Sequence, residues 1–172
     1  MVRVINAFDI IFLQKCNKYL CKKPLTLIFR LISHSGDGYL YALMVLVSLI
    51  FFDASSLFFI KVLLVGFLFE IPSFILLKNL LKRSRPYKVI KQCIPSIKPS
   101  DEFSMPSGHT AAAFMVAVTI AYVYGQYAVY AYTWAALIGI SRVFLGVHFP
   151  TDIIVGAALG SLCSFLSILF FL

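Results

Sequence analysis

The sequence predicts an all-α, multi-pass bundle of transmembrane helices, with five or six spans and an N-terminal amphipathic helix at the membrane interface. Three observations carry this expectation. Of the 172 residues, 61% are hydrophobic and the mean hydropathy is +0.94, above the roughly half-apolar composition of a soluble domain; the surplus must face lipid. The apolar residues gather in runs near the ~20 that a helix needs to cross about 30 Å of hydrocarbon. Tight polar turns join several of these runs, which makes consecutive helices antiparallel neighbours. The length suits one domain, so residues 1–172 are expected to form a single membrane-embedded unit.

Residues 4–20 do not meet the standard of a span. Val4, Ile5, Phe8, Ile11, Phe12 and Tyr19 oppose Asp9, Gln14, Lys15 and Lys18, the pattern of a helix lying on the membrane surface. After Pro24, the short run Leu25–Ile32 reads as a second interfacial helix or half of a kinked span. Residues 1–35 are therefore assigned to the interface. Five segments read as spans: Tyr39–Phe52, Leu57–Leu77, Ser107–Tyr124, Tyr127–Leu145 and Thr151–Leu172. The connections at Asp53–Ser56 and Gly125–Gln126 are tight. Residues 78–105 form the one long loop and hold three of the seven prolines, Pro86, Pro95 and Pro99. A long loop in a compact protein usually carries function.

The net charge of +8 comes largely from two stretches, Arg3–Arg30 and Lys78–Lys98, both flanking apolar segments. Such placement suits topology signals, anionic headgroups or an anionic substrate, and no RNA-binding signature accompanies it; nucleic acid is not an expected partner. Cys16, Cys21, Cys93 and Cys163 lack the paired spacing of a zinc site. The first apolar stretch is broken by Asp9, Gln14 and Lys15 and does not read as a cleavable leader. Following the chain back and forth places the N-terminal region, the long loop and the turn Gly146–Pro150 on one face. The other face receives the two tight turns and the C-terminal end.

Three polar pieces fall on that first face. Lys78 and Arg85-Pro86 leave one span; Pro106-Ser107-Gly108-His109 enters the next; Ser141-Arg142, His148 and Asp152 bridge the last two. Lys78, Arg85 and Arg142 bring three cations together, and arginine presents a planar fork suited to phosphate oxygens. Ser107 and Gly108 begin a helix, where free N–H groups and the dipole favour an anion. Together they describe a cradle for a phosphate. Of the two histidines, one can attack phosphorus and the other can give a proton to the leaving alkoxide. Asp152, four residues after His148, is placed to orient the ring and stabilise its charged form. Taken singly, Lys82, Arg83, Lys88, Lys91 and Lys98 read as interface anchors; Asp37 lines the same site or caps a helix, the cap being favoured; Glu70 is a buried carboxyl that either pairs with a base or stays protonated.

In order, these pieces match K-x6-R-P, P-S-G-H and S-R-x5-H-x3-D, and the chain resembles the type 2 phosphatidic acid phosphatase (PAP2) superfamily. All eleven fixed identities are present at the right spacing. The resemblance implies a small bacterial lipid phosphatase, acting without cofactor or metal on a phosphorylated membrane lipid. Undecaprenyl pyrophosphate, phosphatidylglycerol phosphate, phosphatidic acid and lipid A 1-phosphate are the candidates. It implies catalytic roles for His148 (nucleophile), His109 (proton donor) and Asp152 (partner of His148), and phosphate binding by Lys78, Arg85, Ser107, Gly108 and Arg142. It also implies the bacterial inner membrane, with the site on the periplasmic face, whereas the surplus of Lys and Arg points that face to the cytoplasm. A phosphotransferase using the same histidine, and a non-catalytic binder of anionic lipids, stay open at this point, as does the oligomeric state.

Overall fold

The computed structural model describes residues 7–20, 23–50, 53–90 and 93–172, and every regular element among them is helical. Val4, Ile5, Cys21, Phe52 and Lys91, with the side chains of Cys16, Lys18 and Tyr19, lie outside the described residues. Helices α1 (Ala7–Leu20) and α2 (Lys23–His34) precede α3 (Gly38–Ile50), α4 (Ala54–Leu81) and the one-turn α5 (Pro86–Val89). Then follow α6 (Gly108–Val123), α7 (Ala128–Phe144) and α8 (Pro150–Phe170). The five apolar segments thus correspond to α3, α4, α6, α7 and α8. By length and composition, the helix that begins at Ala54 and Pro150–Phe170 suffice to cross a membrane, while α3 and α6 are apolar but shorter.

The core is built around α6, whose Ala111, Ala113, Met115, Val116, Ala117 and Thr119 are buried. Helix α8 lies closest to it, and the sequence shows why. A Cβ at Gly160 would sit 1.9 Å from the Ala111 carbonyl oxygen, and one at Gly156 2.6 Å from that of Ser107. Two glycines four residues apart let the backbones approach, as small residues do between membrane helices. Thr119 and Ser164 satisfy each other across this interface at 2.9 Å. Around the outside, Leu43, Leu46, Leu64, Leu68, Ile154 and Phe165 are exposed, an apolar circumference of the kind lipid requires.

The two ends differ in chemistry. At one, Asp53 caps α4 by accepting from the Ser56 N–H at 2.7 Å, and Phe59 packs beside Tyr124. At the other gather the ends of α2, α4 and α7 and the starts of α3, α6 and α8. Helix α1 packs there against α7 and α8. Its exposed face carries Phe8, Ile11 and Phe12, whereas Asp9 is fully buried. The polar side expected for Asp9 is thereby corrected: it points into the protein because Arg83 and Thr151 satisfy it there.

Candidate active site

Each piece of the motif is delivered by a helix end. Lys78 lies in the last turn of α4, which closes at Lys82 in the left-handed region, φ 44, with the Lys82 N–H returning to the Lys78 carbonyl oxygen. This sharp stop turns Arg83 and Arg85 back toward the bundle; both are buried. Lys78 is buried too, its ammonium 4.4 Å from the centre of the Phe74 ring. A Cβ at Gly108 would meet that same ring at 3.0 Å, so glycine there lets the start of α6 lie close beside Lys78. His148 follows Gly146, whose φ of +73 is the left-handed conformation that glycine adopts without penalty. Pro150 then opens α8 at its first position.

The cations converge on one point. The Asp101 carboxylate bridges Lys78 Nζ at 2.7 Å and Arg85 Nη2 at 2.5 Å. Arg85 also donates from Nη1 to the Val147 carbonyl oxygen at 2.7 Å, and that nitrogen lies 3.5 Å from His148 Nε2. Burial raises the Asp101 carboxyl, but its hydrogen bonds and charge contacts with Lys78 and Arg85 outweigh this and hold it below the ordinary carboxylate range. Arg142 donates to Ser33 Oγ at 2.6 Å, while its buried Nε has no partner among the described residues.

At the start of α6, the Ser107 N–H is taken by the Asp152 carbonyl oxygen at 3.1 Å, and Ser107 Oγ accepts from the Thr110 hydroxyl at 2.9 Å. This joins α6 to α8 at the site. The outward amides of the first turn therefore begin at Gly108, and the Ser107 hydroxyl keeps its own proton to donate.

His148 is almost fully buried. Its Nδ1 lies 3.5 Å from Asp152 Oδ2, within ion-pair reach but longer than a formed hydrogen bond. Asp152 Oδ2 accepts from the Phe149 N–H at 2.8 Å, which fixes the carboxylate under the ring. Burial disfavours the charged imidazole and, with the Arg142 and Arg85 charges, outweighs Asp152. His148 is pushed down to about 4, so the ring is neutral at pH 7. His109 is more open. Its Nε2 bonds Asp37 Oδ1 at 2.8 Å, and the other Asp37 oxygen meets His34 Nδ1 at 2.5 Å. His109, Asp37, Arg142, Arg30 and Lys98 line a cavity of about 440 Å³.

All eight residues singled out from the sequence thus come to one end of the bundle. Two others belong with them and were read differently. Asp37, expected as a cap, gives its carboxylate to His109 and His34 because the turn between α2 and α3 carries it over α6. Arg83, expected as an interface anchor, is buried and donates to Asp152 Oδ1 at 2.5 Å. No group of three His, Cys, Asp or Glu side chains arranged to hold a metal is found among the described residues.

Residues 38–172 match the family model described as the PAP2 superfamily. Phosphatidylglycerophosphatase B of Bacillus subtilis is 38% identical over 97 residues, 46% of this chain and 48% of that protein. Undecaprenyl-diphosphatase of Sulfolobus acidocaldarius is 36% identical over 93 residues, covering 53% and 45%. The chain spans about half the length of these curated relatives. The crystal structure of Aquifex aeolicus LpxE superposes with a TM-score of 0.84 at 27% identity, covering 98% of this chain and 99% of that one. The first transmembrane PAP2-type phosphatidylglycerolphosphate phosphatase from Bacillus subtilis shares the fold, with a TM-score of 0.72 at 23% identity, over 97% and 88%.

Proposed function

The chain belongs to the PAP2 superfamily, and from that premise we propose that it is a membrane lipid phosphatase working through a phosphohistidine. The observation that carries this reading is the Asp101 carboxylate bridging Lys78 and Arg85 beside His148 Nε2. Its two oxygens stand where two oxygens of a phosphate would be held by the same cations.

The neutral Nε2 of His148 attacks phosphorus, and the bond from phosphorus to the lipid oxygen breaks. Asp152 stabilises the positive charge that builds on the ring. Protonated His109 gives its proton to the departing oxygen, and Asp37 is the carboxylate beside the imidazolium. Lys78, Arg85, Arg142, the Ser107 hydroxyl and the first-turn amides from Gly108 offset the negative charge on the phosphoryl oxygens. Water then attacks phosphorus, its proton passing to His109. The P–N bond breaks, free phosphate leaves, and His148 is neutral again. The chemistry asks for no metal.

We place the whole chain in one membrane-embedded domain, with α3, α4, α6, α7 and α8 crossing the bilayer and α1 and α2 at the interface. An apolar groove of about 360 Å³ between α3, α4 and α6, lined by Leu43, Met44, Val47, Phe59 and Ile120, suits a lipid tail. The family resemblance favours a bacterial inner membrane with the site on the periplasmic side. A reporter fused after Leu172 should then respond as cytoplasmic; a periplasmic response would reverse the assignment.

Phosphate release by detergent-purified protein in EDTA tests the reading. Wild type and His148→Ala are compared on phosphatidylglycerol phosphate, phosphatidic acid, undecaprenyl pyrophosphate and lipid A. Release from at least one lipid by wild type, and its loss in the variant, is the expected result. No release from any lipid, or equal release by both proteins, contradicts it.

A further inference from the structure

Arg83 and Asp9 form a buried charge chain behind Asp152 that the motif does not contain. The Arg83 guanidinium lies 4.5 Å from the centre of the Phe149 ring and divides its donors between two carboxylates. Nη1 donates to Asp152 Oδ1 at 2.5 Å and to Thr151 Oγ1 at 2.6 Å; Nη2 donates to Asp9 Oδ2 at 2.5 Å. Asp9 also accepts from the Thr151 N–H at 3.1 Å and from its hydroxyl at 2.7 Å. Asp9 and Asp152 are fully buried and Arg83 nearly so. Charges so placed are costly unless paired; the ring pairs each charge through the two terminal nitrogens of Arg83, while its buried Nε has no partner among the described residues.

The charge balance gives the ring a consequence for His148. Arg83 alone would cancel the Asp152 carboxylate and weaken its hold on a positive imidazole. Asp9 cancels Arg83 instead, so the three groups together carry one negative charge. On its other side, His148 faces Arg85 and Arg142, with Lys78 beyond them, all cations that oppose a positive ring. The charge that develops on the ring during attack needs an uncancelled anion behind it, and burial makes that interaction strong.

We propose that Asp9 and Arg83 are positioning residues that act through Asp152: Arg83 fixes the carboxylate, and Asp9 preserves its negative charge for His148. The first helix thereby becomes part of the reaction machinery. This rests on the phosphohistidine reading above.

Asp9→Asn keeps the shape of the side chain and removes its charge, at the loss of at least one of the hydrogen bonds that the two carboxylate oxygens accept from Arg83 and Thr151. With the lipid that wild type cleaves best, it should lower kcat about tenfold, the order expected for one unit charge acting across a partly desolvated site. KM should stay within about twofold, because the substrate contacts are kept; the melting temperature in detergent should fall, because a partner of a buried ion pair is lost, so kcat is referred to the folded fraction. Asp9→Glu should restore much of kcat. Thr151→Ala, which removes the hydroxyl between Arg83 and Asp9, should lower kcat a few-fold with the same unchanged KM. In an Asp152→Asn background, Asp9→Asn should cost nothing further. Wild-type kcat in Asp9→Asn overturns the relay, as does a loss that follows only the folded fraction. So does a full additional loss in the Asp152→Asn background. His148→Ala is measured alongside: if it keeps turnover, the histidine mechanism fails and the relay with it; if it is inactive while Asp9→Asn is unimpaired, the relay alone fails.

Discussion

The two histidines meet the site from opposite environments. His148 is 2% exposed, set in a turn that Gly146 and Pro150 hold in place, with its aspartate four residues on, in the first turn of α8. His109 keeps 29% of its side chain exposed on the wall of a cavity, and its aspartate comes from the distant turn between α2 and α3. The difference suits the two roles proposed for the rings. A nucleophile must be neutral and aimed, which burial and a fixed carboxylate supply. A proton carrier must meet first the leaving oxygen and then water, which requires access.

That contrast breaks most sharply under substitution of the rings themselves. His148→Ala should reduce turnover by at least about a thousandfold, since a lost nucleophile removes the pathway. His109→Gln should cost about 10²–10⁴-fold, the range of a lost general acid. A substrate with a good leaving group, such as a p-nitrophenyl phosphate ester, should restore much of the His109→Gln loss and none of the His148→Ala loss. Equal rescue of both would erase the distinction between the two roles.

Protonation offers a second way to separate them. The His148 ring should titrate near 4, because burial and the facing arginines disfavour its charged form. The sign is definite: the neutral nucleophile is present above that value and lost as pH falls through it. Following the ring Cε1–H resonance by NMR in detergent checks this, and a midpoint at or above the ordinary 6.5 would contradict the buried, neutral nucleophile.

Asp37→Asn should have a smaller effect, about tenfold on kcat, because it removes the carboxylate hydrogen-bonded to His109 and leaves the proton donor itself in place. An unchanged kcat would return Asp37 to a merely structural place. The smallest effect belongs to Asp101→Asn. Removing the carboxylate that competes for Lys78 and Arg85 should tighten inhibition by vanadate a few-fold. Weaker inhibition would make Asp101 part of the anion site instead of its rival.

The fold was readable because each apolar run is bounded by polar turns or loops, and the gathering of the eight candidate residues because fixed spacings place them at helix ends. Asp37 was open to two readings, and Arg83 and Asp9 were not readable, for one physical reason. Their partners lie 72, 69 and 74 residues away, a distance that helix periodicity does not carry. Charge next to an apolar span ordinarily means an interface anchor. Arg83 departs from this because the left-handed stop at Lys82 turns it inward, and left-handed backbone at a lysine leaves no mark in sequence. Likewise Asp9 looked like the polar side of a surface helix, while Phe8, Ile11 and Phe12 beside it are the residues that face outward.

The most direct test of the central claim is a rapid quench with a ³²P-labelled lipid that wild type hydrolyses, followed by mapping of any label on the protein. The account predicts an acid-labile, alkali-stable phosphoryl group on the peptide holding His148, formed and consumed at rates consistent with turnover and absent from His148→Ala. Turnover with no labelled protein when the rate constants call for its accumulation, or label on a different residue, would contradict it.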